Sequence, residues 1–71
     1  MNNFLALDNA EPYYTLLGVR PDGVASIVDL IAADGLPLAR ERAQALLREH
    51  QSCIRIEVWR GGALVDQLSR S

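Results

Sequence analysis

The residues best suited to chemistry are one cysteine and one histidine, Cys53 and His50, which stand three positions apart. Thiolate and imidazole groups are ligands that zinc prefers, and a Cys–His pair can also act as a nucleophile and its base. A structural zinc site needs four such ligands, however, and the chain has no second Cys or His. We therefore expect no metal site, and we interpret His50 as the end of a helix and Cys53 as the start of a strand.

Two further patterns could be mistaken for catalytic or phosphate-binding motifs. Gly61-Gly62 lacks the Gly-x-Gly-x-x-Gly or Gly-Lys-Ser/Thr context of a phosphate-binding loop, so it is interpreted as a turn. Asp29, Asp34 and Asp66 could form an acidic cluster, but paired catalytic carboxylates need a shared cleft, which so short a chain rarely builds. We predict no catalytic residue and no cofactor, and hence a protein that is not an enzyme.

The arginines are the remaining charged candidates. Every basic residue is Arg, and the formal net charge is −2. Residues 1–35 carry one Arg against five acidic residues, a net of −4, whereas residues 36–71 carry six Arg against four acidic residues, a net of +2. Arg40, Arg48 and Arg55 could therefore contact a polyanion or a protein partner. Because the whole chain is acidic, a nucleic-acid-binding or regulatory protein is the alternative function and not the leading one.

A helix is predicted between Pro37 and His50, where apolar residues recur with helical spacing. The positions on this apolar face are Leu36, Ala39, Ala43, Leu46, Leu47 and His50. Pro37 suits the first helical position, since its missing N–H would have no partner there. Asp34 adds negative charge near the positive end of the helix dipole. The Arg and Glu residues of the segment lie on the opposite side.

A β-hairpin is predicted on each side of this helix. Residues 13–17 and 24–33 are β-prone, and the Arg-Pro-Asp-Gly sequence of residues 20–23 is typical of a turn between two strands. From Ile54 to Trp59 apolar and polar residues alternate, which predicts a strand with one apolar face. Gly61-Gly62 then fits a two-residue type I′ turn before a fourth strand.

These elements give a single α+β domain with the order ββαββ. The chain has 71 residues, of which 49% are hydrophobic and 23% charged, as in globular proteins. We expect a flexible arm at residues 1–12 and one domain at residues 13–71, with a four-stranded, mainly antiparallel sheet and the helix on one face. Placing the first strand between the second and third would make the whole sheet antiparallel.

The face of the sheet away from the helix is expected to be apolar. Ile27 and Ile31 are separated by an even number of positions in the second strand, so strict alternation places them on the same face. A two-residue turn places Trp59 opposite Leu64 on the outer side. The same register places Val58 opposite Val65 on the helix side. Exposed apolar patches on a protein surface usually mark contact sites, and Trp is enriched at interface centres.

We therefore predict a homodimer that forms through this outer face. Its function would be that of a non-enzymatic protein–protein interaction module, which could also present its Arg-bearing helix face to another protein. An arm bearing Phe4, Leu5 and Leu7 that folds back over the outer face within one chain is the alternative. The chain has no apolar run of the length of a membrane helix and one cysteine, so we expect a cytoplasmic location.

Most of the chain also resembles a group of short bacterial proteins of unknown function. The similarity consists of a hairpin with an Asp-Gly turn, an Ala- and Arg-rich helix after the Ala33-Asp34 step, and a closing Glu-Val-Trp-Arg-Gly-Gly-Ala-Leu-Val sequence at residues 57–65. The resemblance implies a bacterial source and supports the ββαββ order. It implies no activity, because its motifs are a turn, a helix and a hairpin.

Overall fold

The computed structural model describes residues 13–32 and 35–70, so the predicted arm at residues 1–12 and the predicted role of Asp34 lie outside the described residues. The elements are β1 (Tyr14–Val19), β2 (Ala25–Ile31), α1 (Leu36–Glu49), β3 (Arg55–Arg60) and β4 (Ala63–Ser69). The predicted α+β class and the ββαββ order are confirmed. β1 and β4 each extend further along the chain than the apolar pattern predicts.

The four strands form one antiparallel sheet in the order β2-β1-β3-β4. The first strand therefore lies between the second and third, the arrangement that makes the whole sheet antiparallel. β2 and β3 run in the same direction, so the connection between them must cross over β1, and α1 makes this crossing. The helix packs mainly against β3, and also against β4 and β1. One face of the sheet is thereby covered.

The first hairpin turns at the predicted residues. Gly23 has a φ of +88°, which residues other than glycine rarely adopt, and its N–H donates to the carbonyl oxygen of Arg20 at 2.9 Å. The Asp22 side chain accepts hydrogen bonds from the Val24 N–H at 3.0 Å and from the Arg20 guanidinium at 2.7 Å. The carboxylate thus fixes the turn from within.

The second hairpin has the predicted two-residue turn but a different turn type. Arg60 lies opposite Ala63, so Gly61 and Gly62 are the two turn residues. Among the described glycines only Gly23 and Gly61 have a positive φ, and that of Gly61 is +62°. A positive φ at the first turn residue alone is the requirement of a type II′ turn, whereas type I′ requires it at both.

The core lies between the helix and the sheet. Its buried members are Tyr14, Leu16, Ala39, Ala43, Leu46, Ile56 and Val58. On the helix side, Ala39 and Ala43 have no side chain beyond Cβ, which lets α1 approach the strands closely. Leu46 is the one large side chain of α1 that is buried. The helix ends at the predicted place, where the His50 N–H donates to the carbonyl oxygen of Leu46 at 2.8 Å.

Candidate functional site

The outer face of the sheet, away from α1, consists of three rows of cross-strand neighbours. The rows are Leu30-Thr15-Trp59-Leu64, Ile27-Leu17-Glu57-Gln67 and Ala25-Val19-Arg55-Ser69. Ile27 is 63% exposed, Leu30 55% and Leu64 46%, and Trp59 between them is partly exposed. Val19 in the third row is buried, but no helix or strand of residues 13–32 and 35–70 packs over Ile27, Leu30, Trp59 and Leu64. We call this surface the outer face.

A β-bulge in β2 changes which residues reach the outer face. Leu16 pairs with Asp29 and Leu17 pairs with Ile27, so Val28 is an extra residue and the alternation shifts by one. Ile31 consequently pairs with Tyr14 and packs against the helix-side core. The prediction that Ile31 lies beside Ile27 on the outer face is therefore wrong.

A second bulge lies in β4. Trp59 lies opposite Leu64, as predicted, but Val58 lies opposite Asp66 and not opposite Val65. Val65 is the extra residue here, and the prediction for Val58 is wrong for the same reason as that for Ile31. The bulge directs the side chain of Asp66 toward the helix. There Arg40 Nη1 lies 3.0 Å from Asp66 Oδ2.

Three alternate residues of β3, Arg55, Glu57 and Trp59, form a polar cluster on the outer face. The Trp59 indole N–H donates to Glu57 Oε1 at 3.0 Å, and Arg55 Nε donates to Glu57 Oε2 at 3.0 Å. The indole hydrogen bond, with the Arg55 contact, lowers the pKa of Glu57 against the opposing effect of burial. The cluster fixes the Trp59 ring on the sheet and leaves its one polar group with a partner.

Acidification is expected to weaken the fold through Glu57. Because its pKa is lowered in the folded protein, this carboxylate stabilises the fold above the ordinary Glu pKa of about 4.3, and the contribution is lost as pH falls through the lowered value. The loss of stability between about pH 6 and pH 3, measured by urea denaturation, should be smaller in Glu57→Gln than in the wild type. Glu41→Gln, at an exposed helix position, should keep the wild-type pH dependence; equal behaviour of the two variants would contradict the role of Glu57.

The arginines predicted to act together do not form one patch. Arg55 lies on the outer face with Glu57, whereas Arg40 and Arg48 lie on α1, on the other side of the sheet. Arg40 is ion-paired with Asp66, and Arg48 has no carboxylate within 4.0 Å among the described residues. A single polyanion surface that uses all three is thus not supported by their positions.

Arg70 is a functional candidate that the sequence pattern did not reveal. Its guanidinium Nη2 donates to the carbonyl oxygens of Leu47, His50 and Cys53, and its Nε donates to that of Cys53 at 3.3 Å. Cationic groups stabilise the C-terminal end of a helix, where carbonyl oxygens lack partners within the helix. Arg70 comes 20 residues after His50 in sequence, so only the folded sheet brings it there.

A groove of about 430 Å³ lies beside Arg70, between α1 and the edge strand β4. It is lined by Arg40, Gln44, Leu47, Arg48, Gln67, Leu68, Ser69 and Arg70. On the other side of α1 a smaller groove of about 340 Å³ contains Ile31, Leu38 and Ala45. There Arg42 Nε donates to Asp29 Oδ2 at 2.7 Å, which ties β2 to the helix and lowers the pKa of Asp29.

Comparisons with protein-family models, with curated proteins and with solved structures find no match to this chain. The resemblance to short bacterial proteins therefore stays a prediction.

Cys53 and His50 lie at neither groove. Cys53 is a buried free thiol just before β3, and His50 ends α1. Among the residues that the structure describes, no three His, Cys, Asp or Glu side chains are grouped as a metal site would need. In the same part of the chain, no helix has the length and hydropathy needed to span a bilayer.

Proposed function

We propose that the protein is a protein–protein interaction module that forms a homodimer through the outer face. The observation that carries the proposal is the apolar surface made by Ile27, Leu30, Trp59 and Leu64, which belong to three strands of a sheet whose other face is covered by α1. A contiguous apolar patch of this kind is typical of a contact site. A small domain also gains stability from the additional burial that a second copy provides.

The charge of the outer face favours a second copy of the same chain as the occupant. Its only ionised side chains are Arg55 and Glu57, which lie 3.0 Å apart and neutralise each other. In a two-fold dimer each surface meets itself, so a surface with net charge would be repelled by its partner. The outer face has no such charge.

The polar groups beside the apolar patch, those of Trp59 and Glu57, also suit burial. Burial of a polar group without a hydrogen-bond partner is costly, and the Trp59 N–H and the Glu57 carboxylate already bond to each other within one chain. Trp59 can therefore lose its remaining water contact at an interface and leave no donor without a partner. The ring would contribute apolar area at low cost in conformational entropy.

Ile27→Asp and Leu64→Asp should each turn the dimer into a monomer. Both side chains are well exposed in the single chain, so the substitutions leave the monomer fold intact. Each introduces two carboxylates into a two-fold interface, and we expect the dimer dissociation constant to rise roughly 100-fold or more. Light scattering over a concentration series measures the mass. The single Trp59 provides a second readout, since its emission should shift to shorter wavelength as the wild type associates.

Leu38→Asp is the matched control, because Leu38 is 53% exposed but lies on the helix. It should leave the dimer unchanged. A wild type that remains monomeric at all concentrations would contradict the proposal and would favour coverage of the outer face by residues 1–12. An equal effect of Leu38→Asp would place the contact on another surface.

A cytosolic location forms part of the same proposal and is supported by the free thiol of Cys53.

A further inference from the structure

Charge is segregated across the two long sides of α1. Arg40 and Arg48 are eight residues apart, with Gln44 between them, so the three lie on one side of the helix and line the groove against β4. Glu41 lies on the other side, at the smaller groove, and Glu49 pairs with Arg42 at 3.9 Å. The carboxylates of the helix are thus directed away from the larger groove.

Three arginines, Arg40, Arg48 and Arg70, line this larger groove. Arg70 is held by the carbonyl oxygens of Leu47, His50 and Cys53, which use its Nε and Nη2, and its Nη1 makes no hydrogen bond to the described residues. Arg40 pairs with Asp66, and Arg48 has no carboxylate partner in the described part of the chain. Three positive charges therefore face one carboxylate and the carbonyl oxygens at the end of α1, in a chain whose overall charge is negative.

We propose that this groove binds the phosphate group of a small polar ligand, through Arg48 and Arg70 with support from Arg40. Guanidinium groups bind phosphate oxygens through charge-assisted hydrogen bonds, which Arg48 can make in pairs and Arg70 can make through Nη1. The fixed guanidinium of Arg70 loses little freedom on binding. The volume of about 430 Å³ is in the range of small-molecule sites. Gln44 lines the same groove and offers hydrogen bonds to ligand hydroxyl groups.

A small ligand fits this arrangement better than a nucleic acid. A nucleic acid is bound by a basic surface that follows several successive phosphates. Here only Arg40, Arg48 and Arg70 line the groove, whereas Arg42 lies on the other side of α1 with Asp29 and Arg55 lies on the outer face with Glu57. The inference is independent of the proposed dimer, because Arg48 is a helix residue on the other side of the sheet.

Binding can be followed by NMR on isotope-labelled protein, with inorganic phosphate, glucose 6-phosphate and glucose as probes. Inorganic phosphate and glucose 6-phosphate should shift the Arg48 and Arg70 Nε–H signals in a saturable way, and glucose should not. Arg48→Gln should weaken the binding of glucose 6-phosphate about tenfold, since one charge-assisted contact is lost. Gln44→Glu, which adds a carboxylate to the groove, should weaken it at least as much.

Arg20→Gln is the control, because it removes the same charge from the remote first turn. It should bind glucose 6-phosphate as the wild type does. Equal weakening by Arg20→Gln, or shifts that do not saturate, would overturn the proposal in favour of non-specific charge attraction. Saturable, salt-sensitive binding of a short oligonucleotide tighter than that of glucose 6-phosphate would overturn it in favour of a polyanion. Light scattering of Arg48→Gln should show the wild-type mass, which keeps the result separate from the dimer.

Discussion

Leu46→Ala should destabilise the protein by about 2–5 kcal/mol, which is a large part of the stability of a domain of this size. Leu46 is 2% exposed and packs among the side chains of β1 and β3, whereas the other buried residues of α1 are Ala39 and Ala43. Truncation removes the one large buried side chain of the helix. The two alanines have no atoms that could fill the resulting cavity, so the cost should lie toward the upper end.

Leu38→Ala provides the matched comparison for Leu46→Ala. It makes the same chemical change on the same helix, but the Leu38 side chain is 53% exposed, so we expect a cost below about 1 kcal/mol. Both are measured by urea denaturation at one fixed protein concentration, because the stability of a dimer depends on concentration. A cost for Leu46→Ala no greater than that for Leu38→Ala would show that α1 is not anchored by Leu46.

The parts of the fold that local patterns determine could be predicted from the sequence. The helical spacing of Ala39, Ala43 and Leu46 and the alternation of Ile56 and Val58 located α1 and β3. The turn residues located both hairpins. These signals suffice because each arises from neighbours in sequence, where the period of the element directly sets which side chains are buried.

The composition of the candidate sites was less predictable. Strict alternation predicts the wrong face for Ile31, because the bulge at Val28 arises from the pairing of β1 with β2 and leaves no sign in the sequence of β2. Arg70 was missed because its partners, the carbonyl oxygens at the end of α1, are distant in sequence. The charge pattern alone groups Arg55 with the helix arginines, whereas the alternation of β3 places it with Trp59 on the outer face.

Gly18→Ala should destabilise the protein by about 1–3 kcal/mol, through overpacking. Gly18 has no positive φ, so the requirement for glycine comes from space and not from backbone conformation. A Cβ atom at this position would lie 2.7 Å from Cys53 Sγ and 3.1 Å from Val28 Cγ1. The first distance is well below a van der Waals contact, and the buried Cys53 cannot move into solvent to relieve it.

Cys53→Ala distinguishes this steric cause from a general intolerance of change in β1. Alone it should cost about 1 kcal/mol, for the lost burial of the sulfur. In the double variant Gly18→Ala/Cys53→Ala the shortest contact is absent, so the total cost should be smaller than the sum of the two single costs by about 1 kcal/mol or more. Additive costs would instead show that the Val28 contact, or the loss of backbone freedom, is what excludes alanine. The thiol would then have no part in fixing Gly18, and the close approach of the Cys53 loop to β1 would have to be explained by the Ile54 N–H, which donates to the Val19 carbonyl at 2.7 Å.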